Sequence, residues 1–179
     1  MHEADQWVAE QLERLRKDGL DEDTIVVFWS DHGVGFPRAK RWIYDAGLHV
    51  AMIAYVPEQW RGRIPLEALN GASPELVSFI DFAPTMLSLA SAEQPDYLQG
   101  RVFMGADKAP APEYLVGHRD RMDETLDIIR ALTGPRYKYI RNFEKFKPYL
   151  HYVEYAEVNE WNGITRAIRK QHAAGGNAV

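Results

Sequence analysis

The sequence predicts an α/β fold that gives way to a smaller α+β unit with antiparallel strands, and three observations predict it. An amphipathic helical pattern leads into Thr24-Ile25-Val26-Val27-Phe28-Trp29, a β-branched and aromatic run apolar on both faces, as in a strand buried within a helix-covered sheet. The run stops at Ser30-Asp31-His32-Gly33, polar residues at the C-terminal edge of a strand, where α/β sheets gather ligands. After Pro112 the pattern turns to short apolar or alternating segments broken by Gly134-Pro135, the mark of a hairpin with a third strand.

Taken in order, Ala4, Trp7, Val8, Gln11, Leu12 and Leu15 fall near helical spacing, with Gly19 just past the C-cap. The strand over 24–29 follows, then a Gly- and Pro-containing loop through Pro37 and a second short strand over Val50–Val56, closed by Pro57. Asp81 is placed as the N-cap of a helix whose first turn tolerates Pro84 and whose apolar face is Phe82, Met86, Leu87 and Leu89. Gly, Pro and Ala make Pro95–Pro112 read as a linker. Beyond it, strands at Tyr114–Gly117 and Ile128–Leu132 flank the charged cluster His118–Asp127, and Tyr137–Ile140 alternates as a further strand. A modest helix over Asn159–His172 precedes a small-residue tail, Ala173–Val179, expected to fray. The expected organisation is therefore an α/β portion over 1–94, a linker over 95–112 and an α+β subdomain over 113–179. The first portion has too few strands to cover a sheet, which points to further chain upstream.

Composition narrows the function classes. With 179 residues, 46% hydrophobic and 26% charged, the chain has the make-up of a soluble globular domain. A net charge of −5 argues against a nucleic-acid reader while leaving room for a local anion pocket. The absence of cysteine excludes disulfides and thiolate metal sites. No apolar run approaches the about 20 residues of a membrane span, so none is expected. Met-His-Glu-Ala-Asp lacks a secretory pattern, which in a piece of a longer protein leaves the compartment open.

The chemistry centres on Asp31 and His32. A turn at a strand end can swing both side chains toward one centre, and a carboxylate beside an imidazole is reasonable ligation for a divalent cation. The same residues are ordinary turn formers, so a plain turn cap stays open at this point.

Four ordered motifs then carry a family resemblance over about Asp5 to Asn142. Asp23–Gly33 resembles the sulfatase strand that ends in Ser-Asp-Asn-Gly or Ser-Asp-His-Gly. Phe36-Pro37-Arg38-Ala39-Lys40 and Tyr44-Asp45-Ala46-Gly47-Leu48-His49-Val50 are similar to the lysine loop and Tyr-(Asp/Glu)-x-Gly-x-x-Val-Pro segment that follow it, with Ala51 where the family has Pro. Val77–Leu87 resembles the helix around Asp-x-x-Pro-Thr-Leu-Leu. His118–Glu124 with Arg136–Asn142 resembles a subgroup near heparan N-sulfatase.

The resemblance implies the C-terminal part of a sulfatase core, a partial alkaline-phosphatase-like α/β/α sandwich. It implies Asp31 as a metal-ligand carboxylate, calcium as the ion, and His32 as a second ligand at a position often Asn. Histidine is a softer ligand than an amide oxygen, which loosens the choice of metal. Lys40 matches the sulfate-binding lysine, whose ammonium balances charge on the sulfuryl group. His118 and Arg119 are candidate substrate contacts, since a guanidinium fork suits sulfate or carboxylate. The competing reading is a solvated cluster in which Asp120, Arg121, Asp123 and Glu124 pair among themselves. Arg130, Arg136 and Arg141 read as structural or surface residues.

Sulfatases also need a formylglycine made from Cys or Ser in Cys/Ser-x-Pro-x-Arg, and two early aspartates. None of these stands in this sequence, so no catalytic residue is assigned here and the nucleophile is expected upstream, leaving the isolated chain inactive. The expected substrate is a sulfated small molecule or glycan. The alternatives are a phosphodiesterase or phosphonate hydrolase of the same superfamily, or a non-catalytic fragment or pseudoenzyme.

Overall fold

A computed structural model describes residues 2–62, 64, 71–122, 124–147, 151–154, 158 and 162–175. In chain order these form α1 (His2–Lys17), β1 (Val26–Trp29), α2 (Asp45–Leu48), β2 (Met52–Tyr55), α3 (Glu58–Arg61), a 3-10 turn (Phe79–Asp81), α4 (Phe82–Leu89), β3 (Leu115–Met122), β4 (Thr125–Thr133), β5 (Lys138–Asn142) and α5 (Asn162–Ala173). They assemble into two compact units, one of residues 1–28 with 52–112 and the other of residues 29–51 with 113–179. The fold is mixed α/β, with β1 paired to β2 and a separate three-stranded sheet in the order β3-β4-β5.

In the first unit, α1 ends as its sequence specifies. Gly19 takes φ 68° while its N–H reaches Arg16 O at 3.1 Å and Leu20 N–H reaches Leu15 O at 2.9 Å, the paired bonds of a Schellman cap. β1 is shorter than the apolar run, and the expected two-sided burial is not what the structure shows. Phe28 and Trp29 are 43% and 47% exposed, because β2 is the strand's one partner among the described residues. The core of this unit is Val56, Ile64, Phe103 and Met104, packed by Val77, Phe82 and Leu89.

Phe103 and Met104 fall in the Pro95–Pro112 stretch that reads as a linker, and together with Val102 they are buried. Asp81 explains how this stretch is held. Its Oδ1 accepts the Arg101 N–H at 3.0 Å and its Oδ2 accepts the Ser78 N–H at 2.9 Å. Asp81 therefore stitches the 3-10 turn to the following segment, and no side-chain cap of α4 forms, contrary to expectation. Thr85, fully buried, donates to Asp81 O at 2.6 Å and accepts the Phe103 N–H at 3.1 Å. Asp-x-x-Pro-Thr is thus a structural clasp. Around it, Glu75 pairs with Arg101 at 2.7 Å and Lys108 at 2.8 Å, and Arg101 also donates to Leu76 O at 2.8 Å and Ala109 O at 3.1 Å.

In the second unit, β3, β4 and β5 pair antiparallel, with His118 opposite Arg130, Arg119 opposite Ile129 and Ala131 opposite Ile140. The strands run through the charged cluster that sequence placed between them. One face of β4 buries Asp127, Ile129 and Ala131 at alternate positions, so its charges sort by face as the pleat requires. Ile129 and Ala131 pack with Trp42 and Ile43, backed by Tyr44 and Ile140. Buried among them is an ion pair, Arg119 to Asp127, with side chains 2% and 1% exposed. The Arg119 guanidinium lies 4.2 Å over the Trp42 ring, and His151 meets Trp42 edge-on at 5.7 Å. The C-terminal helix is described from Asn162. Its expected start at Asn159, Asp123 of the charged cluster and the tail beyond 175 lie outside the described residues.

Two stability predictions follow from these networks. Removing one partner of a buried pair strands the other charge, so Asp127→Ala should cost about 3–5 kcal/mol in urea unfolding, whereas Arg119→Met with Asp127→Leu should recover much of that loss. A double variant as unstable as the sum of its single changes would contradict this. Burial pushes the Glu75 carboxyl up, but hydrogen bonds and charge from Lys108 and Arg101 more than reverse this and hold it below its ordinary value of 4.5. That stabilisation is complete above pH 4.5 and is lost as pH falls through the lower folded value. Glu75→Gln should therefore flatten the acid limb of the stability profile below that pH, and an unchanged acid limb would count against it.

Candidate functional site

The Asp31–His49 loop owes its shape to two glycines. The Gly33 N–H donates to Gly47 O at 3.2 Å, and a Cβ on Gly33 would lie 1.7 Å from Ala46 O. A Cβ on Gly47 would lie 2.2 Å from Trp42 O and 2.3 Å from Ala39 O. Neither position accepts a side chain without moving backbone. Between them the chain coils tightly, with Lys40 N–H on Val34 O at 2.9 Å, Ala39 N–H on Phe36 O at 3.2 Å and Trp42 N–H on Ala39 O at 3.0 Å. Arg38 and Arg41 are held at φ 66° and 76°, a left-handed conformation costing a non-glycine residue roughly 1–3 kcal/mol. Burial of Ala39, Trp42 and Ile43 and the Arg38 guanidinium 4.7 Å over Tyr44 help offset it.

At the start of this loop Asp31 and His32 come together. Ser30 Oγ donates to His32 O at 2.7 Å, fixing the turn. His32 Nδ1 lies 2.7 Å from Gly33 O, and a carbonyl accepts only, so Nδ1 carries the proton of that bond. In a neutral ring the lone pair is then on Nε2, which lies 3.3 Å from Asp31 Oδ2. Two lone pairs cannot face each other favourably at that range. The contact calls for a proton or a cation between them, and a ring held through Nδ1–H to a backbone oxygen is a common arrangement for a metal-binding histidine. The Asp31 side chain is 80% exposed and open to such a cation. Among the described residues no group of three or more His, Asp or Glu is arranged to hold a metal.

Lys40 sits half-buried farther along the loop, its backbone tied to Val34. His118 and Arg119 sit on β3 and diverge in environment. His118 is exposed, whereas Arg119 is committed to Asp127 and Trp42. Of the cluster's other charges, Asp120 pairs with Arg130 at 2.6 Å. His118 and Arg119 nonetheless border one cleft of about 370 Å³, together with Arg41, Trp42, Asp120 and Arg121. Sequence reasoning passed over Arg41, Trp42, Asp127 and His151. The alternation Asp127, Ile129, Ala131 was the available signal for a carboxylate facing inward. Arg41, Trp42 and His151 carried none, since only the folded loop brings them to the sheet.

A family model described as Sulfatase matches residues 1–92. The chain is 41% identical over 155 residues to an ulvan-active sulfatase of Formosa agariphila, covering 87% of this chain and 25% of that protein. A second ulvan-active sulfatase of the same organism is 26% identical over 152 residues, 81% of this chain and 28% of that one. Human N-sulphoglucosamine sulphohydrolase is 27% identical over 159 residues, 81% of this chain and 30% of that protein. The chain thus spans between a quarter and a third of the length of these relatives, and its match to the family model covers half of it. It belongs to the sulfatase family.

Proposed function

We propose that the Asp31–His49 loop forms one side of the metal and sulfate site of a sulfatase that hydrolyses sulfate esters or N-sulfates of a carbohydrate. In this reading the chain is the C-terminal part of an alkaline-phosphatase-type α/β/α sandwich, from a subgroup near heparan N-sulfatase. The observation that carries the reading is the 3.3 Å approach of His32 Nε2 to Asp31 Oδ2, with the ring anchored through Nδ1. Family membership supports reading that pair as half of a cation site rather than as a turn cap. The relatives' names, two ulvan-active sulfatases and an N-sulphoglucosamine sulphohydrolase, support a sulfated carbohydrate as the substrate class.

The donor set fits a divalent cation in part. One carboxylate and one imidazole fall well short of the 6–8 oxygens that calcium takes, so the remaining ligands and the formylglycine nucleophile are assigned to a part of the protein outside this chain. When bound, the cation supplies Lewis-acid polarisation of a sulfate oxygen. The chain's own residues do the rest. Asp31 contributes the anionic ligand, His32 presents a lone pair whose direction Gly33 O fixes, and the Lys40 ammonium offsets charge that builds on the sulfuryl group.

In a calcium titration of the 179-residue chain followed by NMR, we expect the His32 Nε2 resonance to move with an affinity of about 1 mM or weaker. Asp31→Asn should weaken that binding about tenfold, as loss of an anionic ligand does. A titration that leaves His32 unmoved would remove the metal role. The same chain should release no 4-nitrophenol from 4-nitrophenyl sulfate, and measurable turnover would show that the nucleophile lies within it.

A further inference from the structure

We propose that Lys138 is a positioning residue for the Asp31–His32 pair, acting through Asp45 and the Ile43 carbonyl on the returning arm of the loop. That the pair serves a cation rests on the function proposed above, whereas the link from Lys138 to His32 rests on the geometry alone.

Lys138 opens β5 and faces inward. The strand alternates in burial, with Lys138 and Ile140 on the covered face and Tyr139 and Arg141 on the exposed one. Ile140 packs there against the Trp42 and Ile43 core. An ammonium on that face needs polar partners, because burying it without them is costly. Lys138, its side chain 14% exposed, meets them on the loop, where it pairs with the Asp45 carboxylate and donates to Ile43 O at 3.4 Å. Asp45 opens α2, a short turn closed by the Leu48 N–H on Tyr44 O at 3.0 Å and the His49 N–H on Asp45 O at 2.8 Å. The Asp45 side chain is 69% exposed, and a carboxylate so open to water gains little stability from an ion pair. The effect of the pair is placement: it fixes where α2 begins. From α2, Gly47 O accepts the Gly33 N–H at 3.2 Å, and Gly33 O accepts the Nδ1–H of His32 at 2.7 Å. Ala46 O lies so close to Gly33 that a Cβ there would stand 1.7 Å away, so a shift of α2 is passed on to Gly33. A chain of contacts thus runs from β5 through α2 and Gly33 to the imidazole, whose Nε2 ends 3.3 Å from Asp31 Oδ2.

The test is amide hydrogen exchange of the full chain followed by NMR in metal-free buffer, with calcium added afterwards. Lys138→Met keeps the apolar stem and removes the ammonium. Asp45→Asn breaks the same contact from its exposed end, and carries the test if the lysine variant fails to fold. Each should speed exchange of the Gly33 N–H about fivefold or more, as release of one hydrogen-bonded restraint allows, and Asp45→Asn should do so with its urea midpoint unchanged. The double variant should exchange no faster than the faster single one, since both changes remove one contact. The control is Lys147→Met, which removes an ammonium held at 2.7 Å by Leu126 O of β4 rather than by the loop. It should change Gly33 exchange less than about twofold. Calcium should then shift the His32 Nε2 resonance with an affinity about threefold weaker in Lys138→Met and Asp45→Asn than in wild type. Should calcium leave wild-type His32 unmoved, the cation reading falls and the exchange rates alone decide the link. Gly33 exchange unchanged in both loop variants, additive effects in the double variant, or equal acceleration by Lys147→Met would each overturn the proposal.

Discussion

Gly33 and Gly47 meet backbone against backbone, and everything of chemical interest in the second unit hangs on that approach. A methyl group on Gly33 would overlap Ala46 O at 1.7 Å, and one on Gly47 would collide with two carbonyls. With both positions bare, the chain can leave β1, present Asp31 and His32, coil through Lys40 and Arg41, and return to β2. The approach leaves Arg38 and Arg41 in left-handed backbone, a cost met by burying Ala39, Trp42 and Ile43. Here conformational cost is accepted where side chains must be aimed.

Trp42 carries the loop's order into the sheet. Arg119 lies over it, Asp127 holds Arg119, and His151 stands at its edge. An ion pair this deeply buried adds little stability over an apolar pair of similar volume, since desolvation offsets most of the attraction. What it does supply is direction. It holds the guanidinium plane against the indole. The first unit shows a parallel economy, with Asp81 and Thr85 using buried polar atoms to pin a Gly- and Pro-rich segment that has little side-chain grip of its own.

Much of this was legible in the residues, at the level where local rules govern. The Schellman cap at Gly19, the strand ending in Ser30-Asp31-His32-Gly33, the antiparallel strands after Pro112 and the sulfatase resemblance all come from short-range patterns that tertiary contacts did not override. Long-range partners were hidden. Phe28 and Trp29 have the composition of a buried strand, yet exposure depends on how many strands lie alongside. Pro95–Pro112 looks like a spacer because Gly, Pro and Ala dominate it, while Val102, Phe103 and Met104 supply the burial. The charged cluster reads as a break between two strands because charges in strands look out of place until Arg119 and Asp127 are seen to pair on the inner face. Asp31 and His32 were legible as a pair, but the proton on Nδ1 that turns Nε2 toward the carboxylate depends on a carbonyl that only the turn puts in place.

The central claim is that Asp31 and His32 form half of a cation site at the mouth of this loop. Anomalous diffraction from crystals of the chain soaked with a lanthanide, as a stand-in for calcium, tests it most directly. The account predicts an anomalous peak about 2.3–2.6 Å from Asp31 oxygen, beside His32 Nε2 and with Lys40 Nζ turned to the same side. A peak elsewhere on the molecule, with His32 Nε2 directed away from Asp31, would contradict it.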